Sequence, residues 1–261
     1  MEVHAHTHTP RKKWTHYLWE FLMLFLAITL GFFVENQREH YIENLREKQY
    51  AKELYSELSD DSVVAANMVR IRLEKEKDMD YLYSYFLDSS LTSLPMEFYP
   101  AYTIGAYLVN TYAFEPKDGI LSQLRNSGSL RYFKSMTLQK LFGDISVCIN
   151  NMRGRNEQEY QYWSSPVKPF ILKHYDFSWL NKLRKQNENA IGLALINSYR
   201  QTNSSIEARI LNVATFNREE AANMILFFKQ MMVSTRTLQL NSYIITNHKI
   251  LEELRNKYDL N

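Results

Sequence analysis

Cysteine is almost missing from this chain: Cys148 is the only one in 261 residues. An intrachain disulfide and a cysteine-built metal site are therefore excluded. A lone cysteine on an apolar stripe is ordinarily a small core residue, so any exported part must be stable through packing alone. Glycine and proline are scarce as well, at seven and six. That argues against a turn-rich all-β chain and for long helices. Charge of one sign is not in excess, with a net of +2, so nothing calls for nucleic acid. The phosphate-cradling loops G-x-x-x-x-G-K-S/T and G-x-G-x-x-G do not occur. Neither do the G-x-S-x-G elbow and H-E-x-x-H. No E-x-x-H pair exists, so a ferritin-type di-metal bundle lacks its signature. No catalytic residue and no cofactor is expected.

Hydrophobic residues make up 45% of the chain, enough to bury a core. The longest apolar run is Tyr17 to Val34, 18 residues with Glu20 as its only charge. As a helix it spans roughly 27 Å, close to the hydrocarbon thickness of a bilayer. Trp14, Tyr17 and Trp19 cluster at its start beside Arg11, Lys12 and Lys13, as an interfacial belt with a basic flank does. A cleaved signal peptide fits less well: the run is long for one, and no A-x-A site follows. The basic residues before the span favour a cytoplasmic N-terminus, with residues 35–261 on the far side.

The first residues alternate histidines, His4, His6 and His8. Alternating imidazoles on a flexible strand can chelate a divalent transition metal. The plainer reading is a soluble tail, because the spacing is not that of a structural zinc site. Residues 1–16 are thus expected to form a His-rich, basic cytoplasmic tail.

Between Glu35 and Asp88 there is neither glycine nor proline. Ile42, Leu45, Tyr50, Leu54, Leu58, Val64, Met68, Ile71, Leu82 and Phe86 recur at helical spacing with slips. The membrane helix is expected to continue as a long rod over residues 35–88. Serines, prolines and glycines break the pattern from Ser89 to Gly119, with a short helix between Ala101 and Tyr112. A further helix follows to Gly128, a C-cap, and restarts at Ser129. A long helix is predicted from Thr137 to Trp163, interrupted by Pro166 and Pro169. Asp176 to Glu188 reads as a loop anchored by Phe177, Trp179 and Leu180. Asn189 to Gln201 reads as a helix, and Ser205 to Tyr258, free of glycine and proline, as a last long helical stretch. The fold expected is all-α: a transmembrane helix continuing into a long helix, with a helical bundle over residues 89–261 packing against the rod.

Residues 35–90 carry 8 basic against 13 acidic side chains, and residues 91–261 carry 20 against 14. Within the first segment, Glu57, Asp60 and Asp61 share a helix face, so either something basic packs there or a divalent cation binds. His40 near Glu39 and Glu43, and His248 four before Glu252, read as solvated surface pairs. Met224, Met231 and Met232 read as core packing, or as an adaptable binding surface.

The opening Met-Glu-Val-His and the run Trp19-Glu-Phe-Leu-Met-Leu-Phe-Leu-Ala-Ile-Thr-Leu-Gly-Phe-Phe-Val-Glu-Asn-Gln-Arg-Glu39 resemble the start of a family of uncharacterised single-span Gram-negative bacterial membrane proteins. Leu121-Ser-Gln-Leu-Arg-Asn-Ser-Gly-Ser-Leu130 is similar to that family's mid-chain turn. The resemblance implies an inner-membrane protein with a helical periplasmic domain. It brings no reaction and no cofactor.

Three functional expectations follow. The first is a non-enzymatic scaffold or interaction module whose partners are the lipid bilayer and a protein, which includes self-association. The second is a periplasmic ligand-binding domain with an aromatic surface built from Tyr99, Tyr102, Phe133 and Trp163. The third is an enzyme of unrecognised type, which would need titratable groups clustered in a cleft.

Overall fold

The fold is known from a computed structural model that describes residues 13–202 and 206–260. The fold is all-α, with no strand among the described residues; one isolated antiparallel bridge joins Tyr175 and Ile210. The chain divides into two compact units, Met1–Tyr50 and Ala51–Asn261.

Helix α1 is continuous over Trp14–Asp88, 75 residues. Its part in the first unit holds an 18-residue window of mean hydropathy 2.0, none of it buried. Among the described residues it is long and apolar enough to cross a membrane. The polar groups of this segment are satisfied within the helix, as a lipid environment demands. Thr29 Oγ1 donates to the Phe25 carbonyl at 2.8 Å, and Glu20 Oε1 lies 3.2 Å from His16 Nε2 one turn earlier.

In the second unit, α1 presents Ala51, Leu54, Leu58, Ala65, Met68, Ile71, Met79, Leu82 and Phe86 to the core. Residues 51–88 of the expected rod thus pack into the core of the second unit. Val64, expected on the stripe, is exposed, and Ala65 takes its place.

Six further stretches bring the chain to the end of α7. Helix α2 is Phe98–Tyr102, α3 Gly119–Asn126, α4 Met136–Tyr162, α5 Lys168–His174, α6 Phe177–Gln186 and α7 Gly192–Gln201. Gly128 has φ +70° and ends the α3 region as a left-handed residue before a 3₁₀ turn at Ser129–Tyr132, in line with its expected role as a cap. The expected loop from Asp176 is instead α6. Asp176 caps it by accepting from the Ser178 N–H at 3.0 Å, and Trp179, Leu180 and Leu183 are its buried face.

The last stretch is helical only from Arg218. Helices α8, Arg218–Ser234, and α9, Asn241–Tyr258, are joined without a break. Upstream, residues 206–217 form no α-helix. Asn212 is left-handed at φ 51°, and the Leu211 N–H bonds the His174 carbonyl at 2.9 Å.

Three widened, π-type turns interrupt the helices: π1, Thr103–Tyr107; π2, Trp163–Val167; and π3, Thr235–Leu240. Helix α4 ends at Tyr162, within a residue of the expected end, but the prolines beyond it do not break the helical path, which continues through π2 into α5. In π2 the Lys168 N–H reaches back five residues to the Trp163 carbonyl, a pattern that accommodates Pro166. Pro169 falls in the first turn of α5, where a missing N–H is tolerated.

Candidate functional site: an ionic centre ringed by widened turns

The apolar stripe of α1 has a gap between Ile71 and Met79. The buried positions there are Arg72, Lys75, Glu76 and Asp78. Four charges on one inward helix face are unusual, because an unpaired buried charge is very costly. Each must find partners from the surrounding helices.

Arg72 is fully buried and forks onto Glu159 of α4, with Nη1–Oε1 3.1 Å and Nη2–Oε2 2.9 Å. Its Nε donates to the Tyr112 carbonyl at 2.9 Å, and Nη1 also reaches the Met232 carbonyl at 3.4 Å. Lys75 Nζ donates to the Leu108 carbonyl. It lies 4.4 Å from the Tyr112 ring centre and 5.0 Å from that of Phe228, within cation–π range. Glu76 accepts both forks of Arg236, at 2.7 and 2.8 Å. Asp78 accepts from Arg200 at 2.6 Å, and Arg200 also bonds Glu97.

The three widened turns border this centre. Such turns alter which carbonyls remain in the helical ladder, and side chains take up carbonyls at their edges. Leu108, just after π1, receives Lys75. Ala106, within π1, receives Trp163 Nε1 of π2 at 2.8 Å. The carbonyl of Met231, one turn before π3, receives Arg155 at 3.2 Å and Thr235 Oγ1 at 3.0 Å. Glu159 sits one turn ahead of π2.

Burial moves the ionisations. It pushes Lys75 down to about 7, against an opposing pull from Glu159. It raises the Asp78 carboxyl, although Arg200 holds it back. It raises the Tyr112 phenol as well, and the nearby Asp78 and Glu74 charges add to that. Asp78 Oδ2, Tyr112 Oη and Arg200 Nε are buried without a protein partner. Apart from those three atoms, the centre is a buried network that ties α1 to α4, α8 and the segment after π1, not a set of groups in a cleft.

No protein-family model, curated protein or solved structure matches the chain. The reading of function therefore rests on its own residues.

A second polar knot lies on α1. The face bearing Glu57, Asp60 and Asp61 meets backbone donors and a single lysine. The Lys117 N–H reaches Asp61 Oδ2 at 2.8 Å, and its Nζ reaches Asp60 at 3.2 Å. The Ile120 N–H lies 3.2 Å from Glu57 Oε1. Tyr243 Oη donates to Asp61 Oδ2 at 2.7 Å. Among the described residues no three His, Cys, Asp or Glu side chains group as a metal site. His40 Nδ1 lies 3.6 Å from Glu43.

The sequence-predicted residues scatter. His4, His6, His8, Arg11 and Lys12 lie outside the described residues. Lys13, Trp14, Tyr17 and Trp19 are exposed at the start of α1. The aromatic quartet forms no binding surface: Tyr99, Tyr102 and Phe133 are buried in the core. Tyr99 packs in a cluster with Tyr102, Tyr175 and Trp179, its ring edge-on to the first and tilted against the other two. Phe133 packs elsewhere, on Phe142 and Tyr258, and Trp163 is only half-buried. Abundant tyrosine misled here because the rings are spent on the core; Tyr99 Oη, for one, donates to the Arg209 carbonyl and accepts the Asp176 N–H. Met224 and Met232 are core. Cys148 is half-buried with Sγ 3.7 Å from Thr246 Oγ1.

Proposed function

We propose that the chain is a single-pass inner-membrane protein whose helical unit serves as a non-enzymatic interaction module. The N-terminus lies in the cytoplasm, with residues 35–261 in the periplasm. One observation carries the membrane half of this reading: an apolar helical segment with every large side chain from Trp14 to Val34 exposed, which only lipid or protein would cover. Supporting the interaction half, the buried charges Arg72, Glu76, Asp78 and Glu159 are spent on internal pairing. The resemblance of residues 19–39 to single-span bacterial proteins points the same way.

Topology is tested by reporters fused at the C-terminus. Periplasmic activity is expected, and cytoplasmic activity alone overturns the orientation. The interaction role is tested by affinity purification of the intact protein from membranes. A stoichiometric protein partner, or a second copy, is expected; recovery of the bare monomer overturns it.

A further inference from the structure

A cavity of about 480 Å³ opens between π2 with α5 and the start of α8, within the roughly 300–1,000 Å³ of small-molecule sites. One wall is apolar. It is made by Tyr162, Phe170, Met224 and the rings of Pro166 and Pro169. Tyr162 is fixed there by its hydroxyl, which donates to the Met224 carbonyl at 3.2 Å.

His174 also lines the cavity and is only 2% exposed. Its ring packs on Phe170 and Phe216, with centres 4.8 and 5.0 Å away. Nδ1 lies 2.9 Å from the Leu211 carbonyl. A carbonyl only accepts, so Nδ1 carries the hydrogen and Nε2 is left as an acceptor. Burial holds the His174 pKa below its usual value, which keeps that acceptor uncharged. Among the described residues Nε2 has no partner.

Lys173 and Glu220 flank this imidazole closely enough for both charges to act on it. Neither side chain takes part in an ion pair or hydrogen bond among the described residues. That sets them apart from Arg72, Glu76, Asp78, Glu159, Arg200 and Arg236, all committed to internal pairs. The cavity therefore offers a free ammonium, a free carboxylate, a neutral buried acceptor and an apolar wall. An anion alone meets repulsion from Glu220, and a cation alone meets repulsion from Lys173. A ligand carrying both charges satisfies both.

We propose that this cavity binds a small zwitterion of the α-amino acid class with a large apolar side chain. Its ammonium faces Glu220 and His174 Nε2, its carboxylate faces Lys173, and its side chain lies along Tyr162, Phe170 and Met224. This goes beyond the interaction-module reading and is independent of it, since co-purification tests that reading and heat of binding tests this one.

The experiment is calorimetric titration of the full chain in lipid nanodiscs with L-phenylalanine, L-leucine and L-methionine. Phenethylamine and 3-phenylpropanoate serve as single-charge controls. Saturable binding of at least one amino acid is expected. Each control, and each of the surface variants Lys173→Met and Glu220→Gln, should bind about tenfold or more weakly, as losing a charged hydrogen bond does. Absence of saturable heat from all three amino acids up to about 10 mM, a range that covers even feeble sites, overturns the proposal. So does binding that survives both substitutions, or that the single-charge controls reproduce.

Discussion

Arg72 of α1 and Glu159 of α4 form a two-bond fork in the core, at 2.9 and 3.1 Å, 87 positions apart in sequence. Two of the three remaining guanidinium hydrogens go to the carbonyls of Tyr112 and Met232. One side chain thus ties together helix α1, helix α4, the end of α8 and the segment after π1. Taking two charges out of water is expensive, so such a pair contributes little net stability against an apolar isostere. Its effect is on specificity: a shifted register of α1 would leave both charges buried and unpaired.

That asymmetry is measurable. Arg72→Met alone, or Glu159→Gln alone, is expected to cost about 3–5 kcal/mol, because a buried charge loses its partner. The double replacement Arg72→Met with Glu159→Gln is expected to cost clearly less than the sum of the single changes. A double-mutant cycle on chemical unfolding of the full chain in detergent reads the coupling. Additive costs would show that the two residues act independently.

Asp61 makes a second test. Its Oδ2 accepts from Tyr243 Oη at 2.7 Å and from the Lys117 N–H at 2.8 Å. Burial raises its pKa even against those two bonds, so the charge itself is not what the site rewards. Asp61→Asn can keep one oxygen in that place and is expected to be nearly neutral. Asp61→Ala leaves the buried Tyr243 Oη without an acceptor, at about 1–3 kcal/mol, and strips the Lys117 N–H of its partner at the surface. Equal losses in Tm for the two variants would show that the negative charge is what matters.

Gly105 lies in π1 where it touches α1. A Cβ there would come 2.7 Å from Leu82 Cδ1 and 3.4 Å from Met79 Cγ, and both neighbours are fully buried. They have little room to yield. Gly105→Ala is expected to cost about 1–3 kcal/mol by overpacking. Gly143→Ala and Gly154→Ala, on α4 with nothing within 4 Å of the added atom, are expected to gain up to about 1 kcal/mol through helix propensity. Thermal melts followed by circular dichroism separate the two directions.

Much of this architecture is readable from spacing. The apolar run from Tyr17, the helical stripe through Leu54, Leu58 and Met68, and the left-handed Gly128 follow from local rules. The ionic centre does not. A reader following hydrophobic periodicity sees a gap from Ile71 to Leu82 and passes over it, because Arg72, Lys75 and Asp78 look like a solvated face. Their burial, and that of Glu76, depends on Glu159, Arg200 and Arg236, whose pairings with α1 span 87, 122 and 160 positions. The prolines misled for a related reason. Pro166 ends an α-helix whose hydrogen bonds run four residues back, but not one that widens locally to five. The cavity residues were equally hidden, since Lys173, His174 and Glu220 converge only after residues 206–217 leave the helix. A buried histidine with one ring nitrogen committed and one free has no signature in sequence.

Lys75 gives the last prediction. Its ammonium sits in the core against Tyr112 and Phe228, and burial brings its pKa from 10.5 to about 7, although Glu159 and Asp78 pull upward while Arg72 adds to the fall. In the unfolded chain the ordinary value returns. Below about pH 7 both states hold the proton, and the folded state carries the full penalty of a buried cation. Between about pH 7 and 10.5 the unfolded chain binds a proton that the folded chain has released. Stability therefore rises with pH across that window, by about 1.4 kcal/mol per unit at most. The carboxyls that burial raises, Glu57, Asp61 and Asp78, act in the opposite sense. Their stabilising contribution is present at acid pH and falls as pH climbs through their own range. Melts should stop near about pH 9.5, before the tyrosines of the unfolded chain ionise. The wild-type Tm is expected to climb from pH 7 to that limit, and Lys75→Met to hold a higher, flatter line. Parallel slopes in the two proteins would mean that Lys75 keeps its proton in the fold, held by Glu159 more strongly than burial expels it.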